Sequence, residues 1–208
     1  TDLFDAAKLL YQGPWVAERY LAIQYLLESQ ADDIHPVIRK IVEPAKDLTA
    51  LATFSAPYRL QAFKQKSELL LSQADFFVPP TTGTCFSIEE VEANPIELNS
   101  QMGYYTNFMN LLDLAAVATP TGKLDSKVGF GITLFSSAMR DKYLLSISAK
   151  LQASLAIPAG ALTSFVLAKP TKVMTLSPTK MVKVVVWGAP LEGLLLDLQL
   201  PERGGDLV

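Results

Sequence analysis

His35 and Cys85 are the only histidine and the only cysteine in the chain, so imidazole or thiol chemistry would have to pass through one of them. One imidazole excludes a multi-histidine metal site, and one thiol excludes an internal disulfide and a thiolate-rich zinc site. Neither residue has a catalytic setting. His35 precedes Pro36, where a helix cap is expected. Cys85 stands beside Phe86 after a glycine turn, the context of a small core or loop residue. Serine chemistry needs a base beside the hydroxyl and N–H donors for the oxyanion. The paired Ser136-Ser137 lie in Leu134-Phe135-Ser136-Ser137-Ala138 with no glycine around them, and read as strand-end residues. Asp113 interrupts an apolar run and is expected to be hydrogen-bonded inside, with nothing to make it an acid or a base. Tyr11 and Arg19, on either side of Gly13-Pro14, read by residue type alone as a packed ring and a surface ion pair.

The elements that carry these residues follow from spacing. Residues 3–10 read as a short helix closed by Gly13. Pro14 then stands at a first helical turn, where its fixed φ and missing N–H cost nothing. Val16, Tyr20, Ile23 and Leu27 form one apolar face of a helix running to about Ser29, which puts Arg19 in an early turn and Tyr11 just before the corner. Pro36 opens another helix. A long helical stretch covers roughly residues 48–74, with Leu60, Phe63, Leu70 and Ala74 on one side and Pro57 kinking or dividing it. The pattern then changes to short apolar runs ended by prolines: residues 75–78, 114–119 before Pro120, and 128–135. Such runs suit buried strands. Residues 141–155 return to a helical period. Helices between short buried strands predict an α/β layered fold with a covered central sheet, whose remaining strands are expected outside this sequence.

Composition agrees with a folded domain. Half of the 208 residues are apolar and 19% are charged, with 18 basic and 21 acidic side chains for a net charge of −3. No block of like charge marks a nucleic-acid or anionic-membrane surface. Residues 151–168 carry no charge, but they contain polar side chains and are broken by Pro158-Ala159-Gly160, so a membrane span is not expected. A soluble, cytoplasmic protein is the reading. The sequence starts Thr1-Asp2-Leu3, without methionine or leader, which fits a piece of a longer protein. Lys169-Pro170-Thr171 and Ser177-Pro178-Thr179 mark a connector, and a strand at residues 183–187 turns at Gly188-Ala189-Pro190.

The run Leu10-Tyr11-Gln12-Gly13-Pro14-Trp15-Val16-Ala17-Glu18-Arg19-Tyr20 is similar to the LYxGPWVAERY segment in the amidase domain of allophanate hydrolases, and is the first of six segments that resemble that family in order. Ile34-His35-Pro36-Val37 resembles its LHPV turn, and residues 78–84 its VPTTGT strand end. Residues 90–100 resemble an EVEADPI–NS stretch, residues 104–114 a YTNFVNLLDL stretch, and residues 188–193 the opening of the family's C-terminal domain. Two departures stand out. The stretch usually reading Gly-x-Pro-Phe-Gly is Lys127-Val128-Gly129-Phe130-Gly131, and a proline–asparagine pair is replaced by Leu195 and Asp197.

The resemblance implies the C-terminal half of an amidase-signature fold, with a mixed central sheet covered by helices. It implies residues 1–168 as that half-domain, 169–182 as linker and 183–208 as the truncated start of a second domain. It implies hydrolysis of allophanate (urea-1-carboxylate) to ammonia and carbon dioxide, without a cofactor or metal and in functional coupling to a urea carboxylase. Tyr11 and Arg19 would hold the substrate carboxylate. The family's Ser–cis-Ser–Lys triad lies upstream of the matched region, and neither its Gly/Ser-rich loop nor its lysine motif occurs here, so this chain alone is expected to be inactive and the intact enzyme to be a homodimer. Two alternatives remain: another amidase-signature hydrolase, or a non-catalytic binding module that kept this half of the fold.

Overall fold

A computed structural model of the chain describes residues 2–124, 128–156, 181–186 and 194–199. The backbone divides into two compact units, residues 1–67 with 83–112 and residues 68–82 with 113–208.

The first unit is helical. Helix α1 (Asp2–Gln12) buries Leu3, Ala6 and Leu9, a spacing of three that keeps one stripe inward. Phe4 of α1 stacks on Tyr104 at 4.4 Å between ring centroids and meets Phe108 edge-on at 6.0 Å. Helix α2 (Val16–Ser29) turns Val16, Tyr20, Ile23 and Leu27 inward, as the periodicity predicts, with Leu27 fully buried. Helix α3 (Pro36–Val42) starts at Pro36, and the His35 ring caps it: Val37 N–H donates to His35 Nδ1 at 3.3 Å. Helix α4 (Ala50–Leu71) begins in this unit and runs unbroken through Pro57. The expected division there does not occur. Proline removes only the bond to the Thr53 carbonyl, and both residues are exposed, so water can satisfy that oxygen. Helix α5 (Ile88–Ala93) has a reciprocal cap in which Glu90 N–H donates to Ser87 Oγ and Ser87 N–H donates to Glu90 Oε2. Helix α6 (Pro95–Met102) follows, and residues 103–113 then run as successive turns that bury Phe108, Met109 and Leu112.

The second unit holds a mixed five-stranded sheet in the order β2-β3-β1-β4-β5. Its strands are β1 (Phe76–Val78), β2 (Ala115–Lys123), β3 (Gly129–Ser136), β4 (Met181–Val186) and β5 (Leu194–Gln199). β1 and β4 are parallel, and the other neighbouring pairs are antiparallel. Strand β2 passes through Pro120, where the sequence pattern predicted its end. It is an edge strand, so the missing N–H need not serve the ladder, and the register shifts just beyond, between Pro120 and Gly122. Helix α7 (Asp141–Leu155) covers this end of the sheet, and Leu144 and Ile147 enclose Phe76, Ala115 and Leu134. Polar ties accompany the apolar ones: the Thr119 and Ser148 hydroxyls meet at 2.6 Å, and Thr81 and Thr133 at 3.0 Å.

The strand expected at residues 183–187 forms as β4. Residues 157–180, which include most of the expected linker, lie outside the described residues. Among the described residues no helix is long and apolar enough to cross a membrane.

Candidate functional site

Arg19 occupies the fourth position of α2, and Tyr11 the last turn of α1. The corner between them depends on Gly13. A Cβ on Gly13 would lie 2.3 Å from the Leu9 carbonyl oxygen, closer than any side chain can come, so only glycine lets the chain bend this tightly over the end of α1. Pro14 supplies the next step: its carbonyl accepts from Ala17 N–H at 2.9 Å and starts the α2 hydrogen-bond ladder. The inward stripe of α1 and the Phe4–Tyr104 stack hold the first half of the corner. Tyr20, one residue past Arg19, takes the Lys46 ammonium over its ring at 5.5 Å, which steadies the second half. Arg19 itself is exposed and makes no ion pair among the described residues. Among the described residues the surface-pair reading of Arg19 therefore finds no partner.

The Tyr104–Leu112 segment braces this unit. A Cβ on Gly103 would collide with the Asn107 side-chain amide, and the Gly103 carbonyl accepts from both Thr106 and Asn107 N–H at 2.9 Å. Asp113, expected inside, is exposed with φ of 58°. It ends the turn series in a left-handed conformation that aspartate tolerates better than bulkier residues do.

Ser136 is buried and donates through Oγ to the Asp75 carbonyl at 2.9 Å, so it ties the end of β3 to the entry of β1. Cys85 is exposed. Among the described residues no three His, Cys, Asp or Glu side chains gather as metal ligands would.

Periodicity did not reveal two concave sites. A groove of about 240 Å³ in the first unit is lined by Val37, Lys40, Asn94 and Ile96. A wider cleft of about 530 Å³ in the second is lined by Glu68, Gln73, Asp75, Ser137 and Arg140. Beside that cleft the Arg140 guanidinium lies 4.6 Å over the Tyr143 ring. Burial of Tyr143, then the Asp75 charge, push its phenol above the ordinary value of about 10, and Arg140 opposes both. Arg19 lines neither concavity.

No family model matches the chain. It is 36% identical to the urea amidolyase of Saccharomyces cerevisiae, over 95% of this chain and 11% of the relative. It is 34% identical to the urea amidolyase of Lachancea kluyveri with the same coverage. Among solved structures, a Kluyveromyces lactis allophanate hydrolase superposes with TM-score 0.71 and 35% identity, over 78% of this chain and 27% of that one. The K. lactis urea amidolyase gives TM-score 0.70 and 36% identity, over 78% of this chain and 10% of that one. A 6-aminohexanoate cyclic dimer hydrolase, at TM-score 0.55 and 18% identity, shares the fold alone. The chain thus spans about a tenth of its curated relatives and about a quarter of the solved allophanate hydrolase.

Proposed function

We propose, from the premise that this chain belongs to the allophanate hydrolase family of the amidase-signature fold, that it is the substrate-recognition part of an enzyme cleaving allophanate to ammonia and carbon dioxide. The observation that carries the reading is the α1–α2 corner. It offers an exposed guanidinium with no ion pair among the described residues, in a chain about one-third identical to urea amidolyases over 95% of its length. Allophanate is a small planar anion. Arg19 would take its carboxylate in two parallel bonds, and Tyr11 would add one hydroxyl donor. The nucleophilic serine, the bridging serine and the base lysine would come from the longer protein. Partner and place follow the same reading: a urea carboxylase supplies the substrate, and the intact enzyme is a cytoplasmic homodimer.

The experiment compares two proteins. This chain alone, incubated with allophanate, is expected to release no ammonia above background. The reading frame extended upstream to include the Gly/Ser-rich loop is expected to release it. Ammonia release by this chain that vanishes on one substitution within it would overturn the division of labour. Hydrolysis of neutral amides in preference to allophanate by the longer protein would favour another amidase-signature activity.

A further inference from the structure

We infer, resting on the reading in which Arg19 holds the substrate carboxylate, that Lys46 acts through the Tyr20 ring as a positioning residue for Arg19. Arg19 leaves α2 in its first turns, and those turns are the less firmly held end of the helix. Trp15, at the start of α2, supplies no side-chain cap. Of the inward stripe only Leu27, near the far end, is fully buried, while Val16, Tyr20 and Ile23 are half-buried. A helix end with neither a cap nor deep apolar burial frays and rolls more readily than one with both. Successive side chains on a helix point about 100° apart, so an anchor on Tyr20 also fixes the direction in which Arg19 projects.

The chain after α2 doubles back to make that anchor. A short 3-10 turn (Ala31–Asp33), helix α3 and a second 3-10 turn (Glu43–Asp47) follow one another, and each packs on α2. Arg39 pins the return: its guanidinium reaches Asp32 at 3.5 Å and Glu43 at 2.7 Å, and so joins the two turns across α3. The return ends by setting Lys46 Nζ over the Tyr20 ring, 5.5 Å from its centroid. Lys46 is exposed and makes no ion pair among the described residues, so no carboxylate there competes with the ring for its charge. The ring quadrupole attracts an ammonium held over its face. One contact thus closes the loop from α2 through α3 and back, at the residue next to Arg19.

The test is steady-state kinetics of the longer enzyme on allophanate, with Arg19→Ala as the control. Lys46→Met keeps the stem and removes the charge. It should raise KM about 2- to 5-fold and leave kcat close to the parent's, as expected when an exposed cation–π contact that only holds a binding group is lost. Lys46→Arg and Tyr20→Phe keep a cation and a ring, and should stay near the parent. Tyr20→Leu should match Lys46→Met, and the double variant should be no worse than either alone. In the 208-residue chain, nuclear magnetic resonance should show the Lys46 ε-methylene protons shifted upfield by the Tyr20 ring, and that shift should vanish in Tyr20→Leu. If Tyr20→Leu fails to fold, Lys46→Met against Lys46→Arg still decides, because Lys46 is exposed. An unchanged KM in Lys46→Met, a loss in kcat instead, or no rescue by arginine overturns the inference. Losses that add in the double variant overturn it too, since they would make Lys46 a nearby charge that acts without the ring. Arg19→Ala separates the two failures. A raised KM there with none in Lys46→Met removes this inference alone, whereas unchanged kinetics in Arg19→Ala remove the carboxylate reading and this inference with it.

Discussion

Arg19 is placed by its neighbours and held by none of the ion pairs among the described residues, which is what a ligand-binding cation needs before its ligand arrives. In the intact enzyme, Arg19→Ala should weaken allophanate binding by about 2–5 kcal/mol, as expected when one partner of a desolvated ionic contact is lost. Arg19→Lys should be nearly as harmful, since an ammonium cannot reproduce the fork. Tyr11→Phe should cost about 0.5–1.5 kcal/mol for a single neutral hydrogen bond. Steady-state kinetics should show the loss in KM and in kcat/KM together. Unchanged kinetics in Arg19→Ala would make the arginine structural. Tyr143 allows an independent check on the second unit. Its hydroxyl is buried without a hydrogen-bond partner, while the Arg140 guanidinium lies over the ring face. Folding raises the phenol's pKa because burial penalises the ionised form, so the fold carries no such penalty below about pH 10 and loses stability as pH rises from there through the folded value. The unpartnered buried hydroxyl makes Tyr143→Phe neutral or stabilising near pH 7, and the variant should lose less stability than the parent above pH 10. Denaturant midpoints measured across that window decide it.

Corners and caps, more than helix interiors, decide where the candidate site stands. Gly13 is the most restrictive of them. Gly13→Ala must move the Leu9 carbonyl or open the corner, at an expected cost of about 1–3 kcal/mol in stability. A raised KM for allophanate in the intact enzyme should accompany it, because Tyr11 and Arg19 stand on opposite arms of that bend. A Gly13→Ala chain with an unchanged unfolding midpoint would show that the corner relaxes freely. The prolines act differently. Pro36 and Pro95 open helices, where the missing N–H is harmless, Pro14 lies in the turn just before α2, and Pro57 and Pro120 sit inside elements at exposed or edge positions that tolerate it.

The chain spans about a tenth of its curated relatives, and its sheet is assembled from segments far apart in the sequence. Three strands come from residues 76–136, and the hairpin of β4 and β5 joins them only because β4 pairs with β1, from Phe76↔Val184 to Val78↔Val186. A two-stranded hairpin alone buries too little surface to offset a backbone entropy of about 1–2 kcal/mol per residue. A peptide of residues 181–208 should therefore exchange its amides rapidly throughout. In the full chain, the β4 amides paired to β1 should be slowed. Strong protection in the isolated peptide would mean that the tail folds by itself.

Much of the architecture was legible in the residues because periodicity and punctuation are local. The α2 face, the Pro36 start with its His35 cap, and the α7 helix follow from spacing alone. So does the strand end at Ser136, where β3 stops. Three matters were not local. Pro57 could not be judged without knowing that its face is exposed, nor Pro120 without knowing that β2 is an edge. Asp113 was misread because polarity inside an apolar run reports the run and not the left-handed turn that ends it. Sequence similarity placed Tyr11 and Arg19 in a family. Only the folded corner, with a glycine against the Leu9 carbonyl and an arginine outside the ion pairs of the described residues, supplied a physical reason why the fork is free to bind. Burial, edges and ion pairs are set by distant segments meeting in space, so they belong to the tertiary structure.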